Sequence, residues 1–304
     1  MNFAMPDKVK EVCWHSPSLR GTSSGESGSG LDSTLVSTRT RIADLAQTTD
    51  GTTVTVGGFV DTVRDQKKVQ FIILRDESGS AQLVNPALRE DDPEAAASPE
   101  RRTLTDAISE LSAGTFVQVT GELKLDERVK LGGLEVKIHT LEVTGAAEPE
   151  PPIAEDSSVD KRMDWRFLDL RRPSANLIFR AQTAFEHGMR SWWVDNNWIE
   201  IHTPKFMASA SESRAELFEV GYFDTTAYLA QSPQFFKQMA QPAGFGAVFE
   251  IAPAFRADPS FTARHATEFT SVDAEMSWVD SHHDVMAMHE QVLVAGISAV
   301  VEKY

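Results

Sequence analysis

Cysteine is almost absent from this sequence, since Cys13 is the single cysteine among 304 residues. One thiol cannot form an intramolecular disulfide or a thiolate zinc cluster, and its scarcity is typical of a reducing compartment such as the cytoplasm. Long apolar runs are also lacking, and the N-terminus has no apolar segment of the kind that directs secretion. The sequence therefore predicts a cytoplasmic protein that does not enter a membrane.

Positive charge is scarce as well. The chain carries 29 Lys and Arg against 45 Asp and Glu, which gives a formal net charge of −16. Any contact with nucleic acid must therefore use local basic patches within a repulsive overall field. With 41% hydrophobic residues, the chain is long enough to bury one or two ordinary cores, and two domains are expected.

Composition divides the first half of the chain into three parts. Residues 1–35 are predicted to be a flexible tail, because much of this stretch is rich in Gly and Ser and poor in large apolar groups. Residues 36–146 contain five β-type segments broken by Gly or Asp turns, with one helical run, which predicts a small all-β barrel. The acidic, proline-containing stretch that follows predicts a hinge over 147–172.

Residues 173–304 have a different pattern. Apolar residues at helical spacing follow Pro173, with Ser174 as the candidate N-cap. Short β-type runs and another helix, near 233–243, come next. Antiparallel strands flanked by helices predict an α+β domain rather than a βαβ series.

Four motifs occur in order along this second half. They read RFLDLRRP, IEIHTPKF, YLAQSPQFFKQ and FRADPSFTARHATEFTSVDAEMSW. Together they resemble the class II aspartyl-tRNA synthetases, in particular the archaeal and eukaryotic branch, and the resemblance extends from about residue 38 to the end. It implies an OB-fold barrel that binds the anticodon, a hinge, and an α+β catalytic domain with motifs 1 and 2.

The resemblance also implies a reaction and its partners. Such a ligase uses ATP to form aspartyl-adenylate from aspartate and passes the aspartyl group to the 3′ end of tRNA(Asp). Motif 1, which Pro204 closes, implies a homodimer. The family's third motif and its acidic Mg²⁺ ligands have no counterpart in this sequence, so the chain alone is expected to be catalytically incomplete. Two points stay open: whether tRNA(Asn) is also charged, and whether the chain is a fragment of a longer ligase or a non-catalytic tRNA-binding relative.

Lys237 is the candidate that distinguishes aspartate from asparagine. A desolvated ammonium that faces the substrate side chain is compensated only when that side chain is an anionic carboxylate. The resemblance implies that aspartate is bound by Glu212, Ser232, Gln234, Lys237 and Asp273. Taken alone, the run QSPQFFKQ is also an ordinary helix start with Ser232 as its cap.

The resemblance places ATP at the hairpin of motif 2. Arg256 matches the catalytic arginine that binds the α-phosphate, where negative charge develops during the attack. Phe269 matches the aromatic residue that stacks on adenine, and Arg264 and His265 belong to the loop that meets ATP and the acceptor end. Taken alone, an arginine on a hairpin is more often a surface ion-pair partner.

Two positions depart from the family pattern. Asp258, a further residue of the ATP site, stands where the family usually has Glu, so contact with adenine is expected to be weaker or bridged by water. Arg214 is the second residue after Glu212, in the segment that resembles the loop that closes over aspartate, where relatives carry two small residues after the acid. A cation there either slows closure or points into solvent.

The barrel carries the candidate anticodon site. A single-stranded base needs an aromatic platform and a polar group that reads its edge. The resemblance assigns these roles to Phe71 and Gln82, with Arg64 near the RNA backbone. The alternative for Phe71 is a place in the core, because the run FIIL has apolar residues on both faces.

Overall fold

The computed structural model describes residues 39–92, 97–209, 217–258 and 265–304. Contacts divide the chain into two compact units, Met1–Pro151 and Pro152–Tyr304. The division falls within the predicted hinge, whereas the predicted tail of residues 1–35 lies outside the described residues. The bounds of the predicted domains otherwise stay a prediction.

The first unit is built on a closed barrel of five strands in the order β1-β2-β3-β5-β4. The strands are β1 (Thr53–Asp65), β2 (Val69–Arg75), β3 (Ser80–Pro86), β4 (Phe116–Leu125) and β5 (Leu134–Gly145). A 3-10 helix, Ile42–Gln47, precedes β1, and helix α1, Pro99–Ser109, connects β3 to β4. Neighbouring strands pair antiparallel except β3 and β5, which are parallel. The predicted barrel is confirmed, because each of these five strands pairs with a neighbour on both sides.

The alternation of buried and partly exposed residues along β2 shows how the barrel core is made. Ile72 and Leu74 are fully buried, whereas Phe71 and Ile73 lie on the outer face and are partly exposed. Successive side chains of a strand point to opposite faces, so the apolar run FIIL supplies both the core and the outer surface. Each buried aliphatic side chain contributes roughly 1.5–3 kcal/mol to folding.

A buried amide joins this barrel to α1. The side chain of Gln70 donates to the carbonyl of Thr105 at 2.9 Å and to the hydroxyl of Ser109 at 3.0 Å. The amide of Asn85 donates to the Gln70 carbonyl oxygen at 2.8 Å. Because both ends of the Gln70 amide are hydrogen-bonded, its burial leaves no polar group of this amide unsatisfied. The hydrogen bonds of Gln70 to Thr105 and Ser109 attach α1 to the barrel.

The second unit has helices and two small sheets. The helices are α2 (Val159–Asp164), α3 (Arg166–Asp169), α4 (Pro173–Asp195), α5 (Gln234–Ala240) and α6 (His282–Lys303). The strands are β6 (Ile199–Glu200), β7 (Phe206–Met207), β8 (Glu219–Tyr222), β9 (Thr225–Leu229), β10 (Ala247–Phe255) and β11 (Glu268–Met276). One sheet has the order β11-β10-β6 and the other β7-β9-β8. Apart from the parallel pair β6 and β10, the pairings are antiparallel, which confirms the predicted α+β class.

The structure adds local detail to three segments and corrects one prediction among them. Helix α2 begins at Val159, within the predicted hinge. Helix α4 begins at Pro173 with Arg172 in the cap position, not Ser174, because proline fits the first helical position, where no intrahelical N–H bond is needed. The segment IEIHTPKF forms only the short strands β6 and β7, and Pro204, which lacks an N–H, lies between them.

Helices α4 and α6 approach each other closely through glycines. A Cβ on Gly188 would lie 2.6 Å from the carbonyl oxygen of Ala295, and a Cβ on Gly296 would lie 2.7 Å from the ring of Phe185. Beside this crossing, Trp193 stacks on Phe249 of β10 with ring centroids 4.6 Å apart. The tryptophan-rich end of α4 is therefore packed against the sheet that carries motif 2.

Helix α6 corrects one expectation. By length and composition alone it is apolar enough to cross a membrane, with a mean hydropathy of 1.3, so the prediction that the sequence lacks such a run is wrong. A single helix of this kind is weak evidence for a membrane span. Here Gly296 and Val292 are buried, and the helix packs on α4.

Candidate functional site

Lys237 of α5 is buried against β11, and only 5% of the residue is exposed. Its Nζ lies 3.2 Å from Oδ1 of Asp273 and 3.6 Å from Oε2 of Glu275, and it donates to the carbonyl of Ala274 at 3.4 Å. Asp273 and Glu275 share a face of β11 because they are two residues apart. The site therefore holds one ammonium against two carboxylates.

The other predicted aspartate-binding residues lie around this ion pair. Ser232 is buried, and its Oγ accepts a weak hydrogen bond from the backbone N–H of Gln234 at 3.4 Å. Helix α5 begins at Gln234 with Pro233 in the cap position, so Ser232 precedes the helix and the prediction that it is the N-cap is wrong. Asp273 also accepts from the hydroxyl of Ser271, which fixes its carboxylate. Glu212 lies outside the described residues, as does Arg214.

The hairpin of β10 and β11 presents the predicted ATP residues. Ala254 is paired with Phe269, and the backbone N–H of Arg256 donates to Thr267 at 2.9 Å, so the ladder extends to the arginine. The Arg256 guanidinium carbon lies 5.7 Å from the ring centroid of Phe269. This cation–π contact brings together the candidate phosphate-binding and adenine-stacking residues.

The remaining ATP candidates are less informative. Asp258 and His265 are exposed and flank the tip of the hairpin. Arg264 lies outside the described residues. The structure therefore places two members of the predicted ATP set in contact and leaves the roles of the other three as predictions.

A buried ion pair next to motif 1 was missed from the sequence. Glu250 of β10 is 2% exposed and accepts from the backbone N–H of Thr203 at 2.6 Å and from Lys205 Nζ at 3.0 Å. These hydrogen bonds hold the segment around Pro204 against β10, the central strand of the sheet. The signal was a carboxylate inside the apolar run AVFEIAPAF, because a buried acid requires a partner.

The predicted anticodon residues line one open pocket of about 760 Å³ on the barrel surface. The Arg64 guanidinium carbon lies 5.2 Å from the Phe71 ring centroid, and Arg64 donates to Gln82 Oε1 at 3.2 Å. Gln82 in turn donates to Glu135 Oε2 at 2.9 Å. Phe71 therefore belongs to the outer surface rather than the core, and the three candidates form one contiguous group with Glu135.

The loop between β4 and β5 forms another wall of this pocket. Its Asp126 accepts from the side chain of Arg128, at 2.9 Å from Nε, and from its backbone N–H at 3.0 Å. These hydrogen bonds lower the pKa of Asp126 to about 2. Arg128 and Lys130 line the same pocket together with Asp126, so this wall places two cations near the aromatic platform, one of them paired with a carboxylate.

No group of three or more His, Cys, Asp or Glu suited to a metal ion occurs among the residues that the structure describes. Asp273 and Glu275 are two neighbouring carboxylates, but both face Lys237.

Two family models match the chain. Residues 54–144 match the OB-fold nucleic acid binding domain, which covers the barrel. Residues 158–304 match the class II tRNA synthetases (D, K and N), which cover α2 to α6. The second match begins at the residue before α2, in agreement with the helical structure of this segment.

Curated relatives of similar sequence are aspartate–tRNA ligases. The aspartate–tRNA(Asp/Asn) ligase of Methanopyrus kandleri is 38% identical over 83% of this chain and 57% of its own length. The aspartate–tRNA(Asp) ligase of Thermoplasma acidophilum is 36% identical over 87% of this chain and 59% of its own length. The chain thus spans somewhat more than half of the length of these relatives.

Solved structures of the same group share the fold. Asparaginyl-tRNA synthetase from Pyrococcus horikoshii, complexed with asparaginyl-adenylate, has a TM-score of 0.77 and 30% identity over 87% of this chain and 58% of that chain. A putative aspartyl-tRNA synthetase from Leishmania major has a TM-score of 0.72 and 26% identity over 91% of this chain and 57% of that chain. With the motifs and both domain matches, the chain belongs to the class II tRNA synthetases (D, K and N), with an OB-fold nucleic acid binding domain ahead of the synthetase domain.

Proposed function

We propose that this chain supplies the anticodon-binding and aspartate-binding parts of an aspartate–tRNA ligase. In that reaction the α-carboxylate of aspartate attacks the α-phosphate of ATP and releases pyrophosphate. A hydroxyl at the 3′ end of tRNA(Asp) then attacks the adenylate and releases AMP. The observation that carries the proposal is the buried ammonium of Lys237 between Asp273 and Glu275.

The charges around Lys237 support a preference for aspartate. Substrate aspartate brings an ammonium, for which Asp273 is the proposed partner, and a side-chain carboxylate, for which Lys237 is the partner. If Asp273 pairs with the substrate ammonium, Glu275 is the remaining anionic partner of Lys237 named here, and aspartate would add a second carboxylate where asparagine would not. The non-catalytic alternative is not favoured, because the named relatives are ligases and this ion pair is formed.

Arg256 and Phe269 are the proposed ATP contacts. The guanidinium of Arg256 would bind the α-phosphate, where its charge opposes the negative charge that develops during attack. One face of the Phe269 ring is next to Arg256, so adenine would stack on the other face. Class II tRNA synthetases in general use ATP together with Mg²⁺, and we propose that the ion is held by residues other than those described.

The barrel pocket is the proposed anticodon site of tRNA(Asp). A base would stack on Phe71, and the amide of Gln82, held between Arg64 and Glu135, would read its edge. Charging of tRNA(Asn) is a separate question that its own binding and acylation would answer. The relatives include ligases named for tRNA(Asp) and for tRNA(Asp/Asn).

A homodimer is also proposed. Leu177, Ile178 and Phe179 at the start of α4 are 48%, 65% and 48% exposed. An apolar group of this kind on a helix is suited to a protein partner. Sedimentation velocity would test it, and a chain that stays monomeric at micromolar concentration would contradict it.

Equilibrium binding tests the assignment of Lys237 without requiring catalysis. Non-hydrolysable analogues of aspartyl-adenylate and asparaginyl-adenylate would be titrated into wild type and Lys237→Met by calorimetry. The wild type is expected to prefer the aspartyl analogue, and the variant to lose about 1.5–3 kcal/mol of that preference, the usual worth of a hydrogen bond to a charged group. Lys303→Met, at an exposed end of α6, is the control. An unchanged preference ratio in Lys237→Met would contradict the proposal.

A further inference from the structure

The two faces of the hairpin formed by β10 and β11 differ in chemistry. Phe249 and Ala274 belong to the apolar cluster that packs on one face. Successive side chains of a strand point to opposite faces, so Glu250, Ser271 and Asp273 belong to the other face. This second face is polar and carries the candidate aspartate site.

Three carboxylates are neighbours on the polar face. Glu250 is directly opposite Asp273 in the register of the hairpin, and Glu275 is two residues further along β11. Like charges at directly opposite positions of a sheet repel each other. Glu250 is held by its hydrogen bonds from Thr203 and Lys205. Asp273 therefore needs contacts of its own to keep a single orientation beside these neighbours.

Ser271 supplies one of the contacts that orient Asp273. Its hydroxyl donates to Oδ2 of Asp273 at 2.5 Å, whereas the other oxygen, Oδ1, accepts from Lys237 Nζ at 3.2 Å. Each oxygen of the carboxylate thus has a separate donor, which fixes the plane of the group. Across the hairpin Ser271 is paired with Ala252, whose methyl group cannot compete for the hydroxyl.

The orientation of Asp273 decides what Lys237 offers to a ligand. An ammonium has three N–H groups, and Lys237 donates to Asp273 Oδ1 and to the carbonyl of Ala274. Oε2 of Glu275, at 3.6 Å, is beyond ordinary hydrogen-bond distance. The third N–H group is therefore the one that would meet the side-chain carboxylate of the substrate. Without the hydroxyl of Ser271 on Oδ2, both oxygens of Asp273 could turn toward Lys237 and take this donor.

We propose that Ser271 is a positioning residue that sets the preference for aspartate over asparagine. Its hydroxyl holds Oδ2 of Asp273 away from Lys237, so that one N–H group of the ammonium stays available to a ligand carboxylate. Ser271 acts through Asp273 and is not assigned a contact with the substrate. The inference rests on the proposed function, in which Lys237 meets the substrate side chain.

Titration of the aspartyl- and asparaginyl-adenylate analogues into residues 1–304 tests this role. Ser271→Ala is expected to lower the ratio of the two affinities by a factor of about 2 to 10, the effect of one lost hydrogen bond. Ser271→Thr keeps a hydroxyl and should restore most of the ratio. Thr270→Ala is the matched control, because it removes a hydroxyl from the adjacent, exposed residue on the opposite face of β11, and it should leave the ratio unchanged.

A double variant separates action through Lys237 from a general loosening of the hairpin. If Ser271 acts through Lys237, adding Ser271→Ala to Lys237→Met should lower the ratio no further. A purely structural role would instead weaken both analogues equally and leave the ratio in Ser271→Ala unchanged. If Ser271→Ala does not fold, Ser271→Cys, which has a similar volume and a weaker donor, provides the same test.

Two results would overturn the inference and leave the proposed function intact. One is an unchanged ratio in Ser271→Ala while Lys237→Met lowers it. The other is an equal fall of the ratio with and without Lys237, because Ser271 would then act independently of the ammonium. An unchanged ratio in Lys237→Met, or a wild type without a preference, would contradict the proposed function and the inference together.

Discussion

The barrel unit and the synthetase unit bury their apolar residues to different degrees. In the barrel, one cluster of buried apolar residues includes members from all five strands, the 3-10 helix and α1. In the described part of the synthetase unit, the largest buried cluster joins Met189, Trp193, Phe249 and Val292. Residues of α6 such as Val301 remain exposed. In a closed sheet, each strand is covered by neighbouring strands and by the core inside the barrel. Helices that pack on small sheets keep an apolar face that only another protein surface can cover.

The largest expected difference between the two units is in activity. The barrel is expected to bind RNA, whereas the synthetase unit is not expected to form the adenylate. Residues 1–304 are expected to give no measurable aspartate-dependent ATP–pyrophosphate exchange, because the family's third motif and its acidic ligands have no counterpart in the sequence. Loss of one placed charge typically reduces such a rate by a factor of about 100 to 1,000. RNA binding by the barrel is the control and should persist. Exchange near the rate of a full-length relative would show that residues 1–304 are sufficient for adenylate formation.

The next effect concerns the stability of the barrel. Leu83→Ala removes a fully buried side chain from a closed core and should lower the free energy of unfolding by about 2–5 kcal/mol. Urea unfolding of residues 39–151 would measure it, with Ile73→Ala on the outer face as the control. Equal losses in both variants would show that the outer face is packed as tightly as the core.

A smaller effect is expected at the barrel pocket. Phe71→Ala should weaken binding of the anticodon stem-loop by about 1–3 kcal/mol, the usual worth of one stacked base. Val69 lies on the same face of β2 but does not line the pocket, so Val69→Ala is the control. The salt slope should not change, because Phe71 carries no charge. Similar affinities for wild type and Phe71→Ala would remove Phe71 from the RNA site.

The smallest expected effect is that the loop between β4 and β5 loses stability as the pH falls. The pKa of Asp126 is lowered to about 2 by Arg128, below the ordinary value near 3.9. The pair therefore stabilises the folded loop above about pH 4, and this contribution is lost as pH falls toward 2. Carboxyl NMR titration would measure the pKa, and Arg128→Gln should return it toward the ordinary value. A pKa near 3.9 in the wild type would show that the pair is not formed.

The barrel strands and the outline of both sites could be predicted from the sequence. Alternation of apolar residues predicted the five β-type segments of the barrel, and β2 shows the reason, because every second residue of this strand is buried. Recognition of family motifs brought Lys237 together with Asp273, and Phe71 with Gln82. Hydrophobic periodicity in one segment could not have predicted these contacts, because the two residues of each pair belong to different helices or strands.

Other features could not be predicted because they depend on contacts between distant residues. Glu250 and Lys205 are 45 positions apart, and nothing in either segment identifies the other. The helices of the predicted hinge were missed because acidic and proline residues dominate the segment before Val159. Residue type favours Ser174 as a cap, but the proline before it fixes the helix start one position earlier.

The close approach of Gly188 and Gly296 has a consequence for synthesis of the chain. These two glycines are separated by more than a hundred residues, so α4 leaves the ribosome long before α6 exists. At about 5–20 residues per second, the delay is roughly 5–20 s, during which the face of α4 around Phe185 and Met189 lacks its partner. The strands of the barrel all precede Pro151, so its core is expected to close before α6 is made. A chaperone that binds apolar helices during translation should therefore be found on α4 rather than on the barrel.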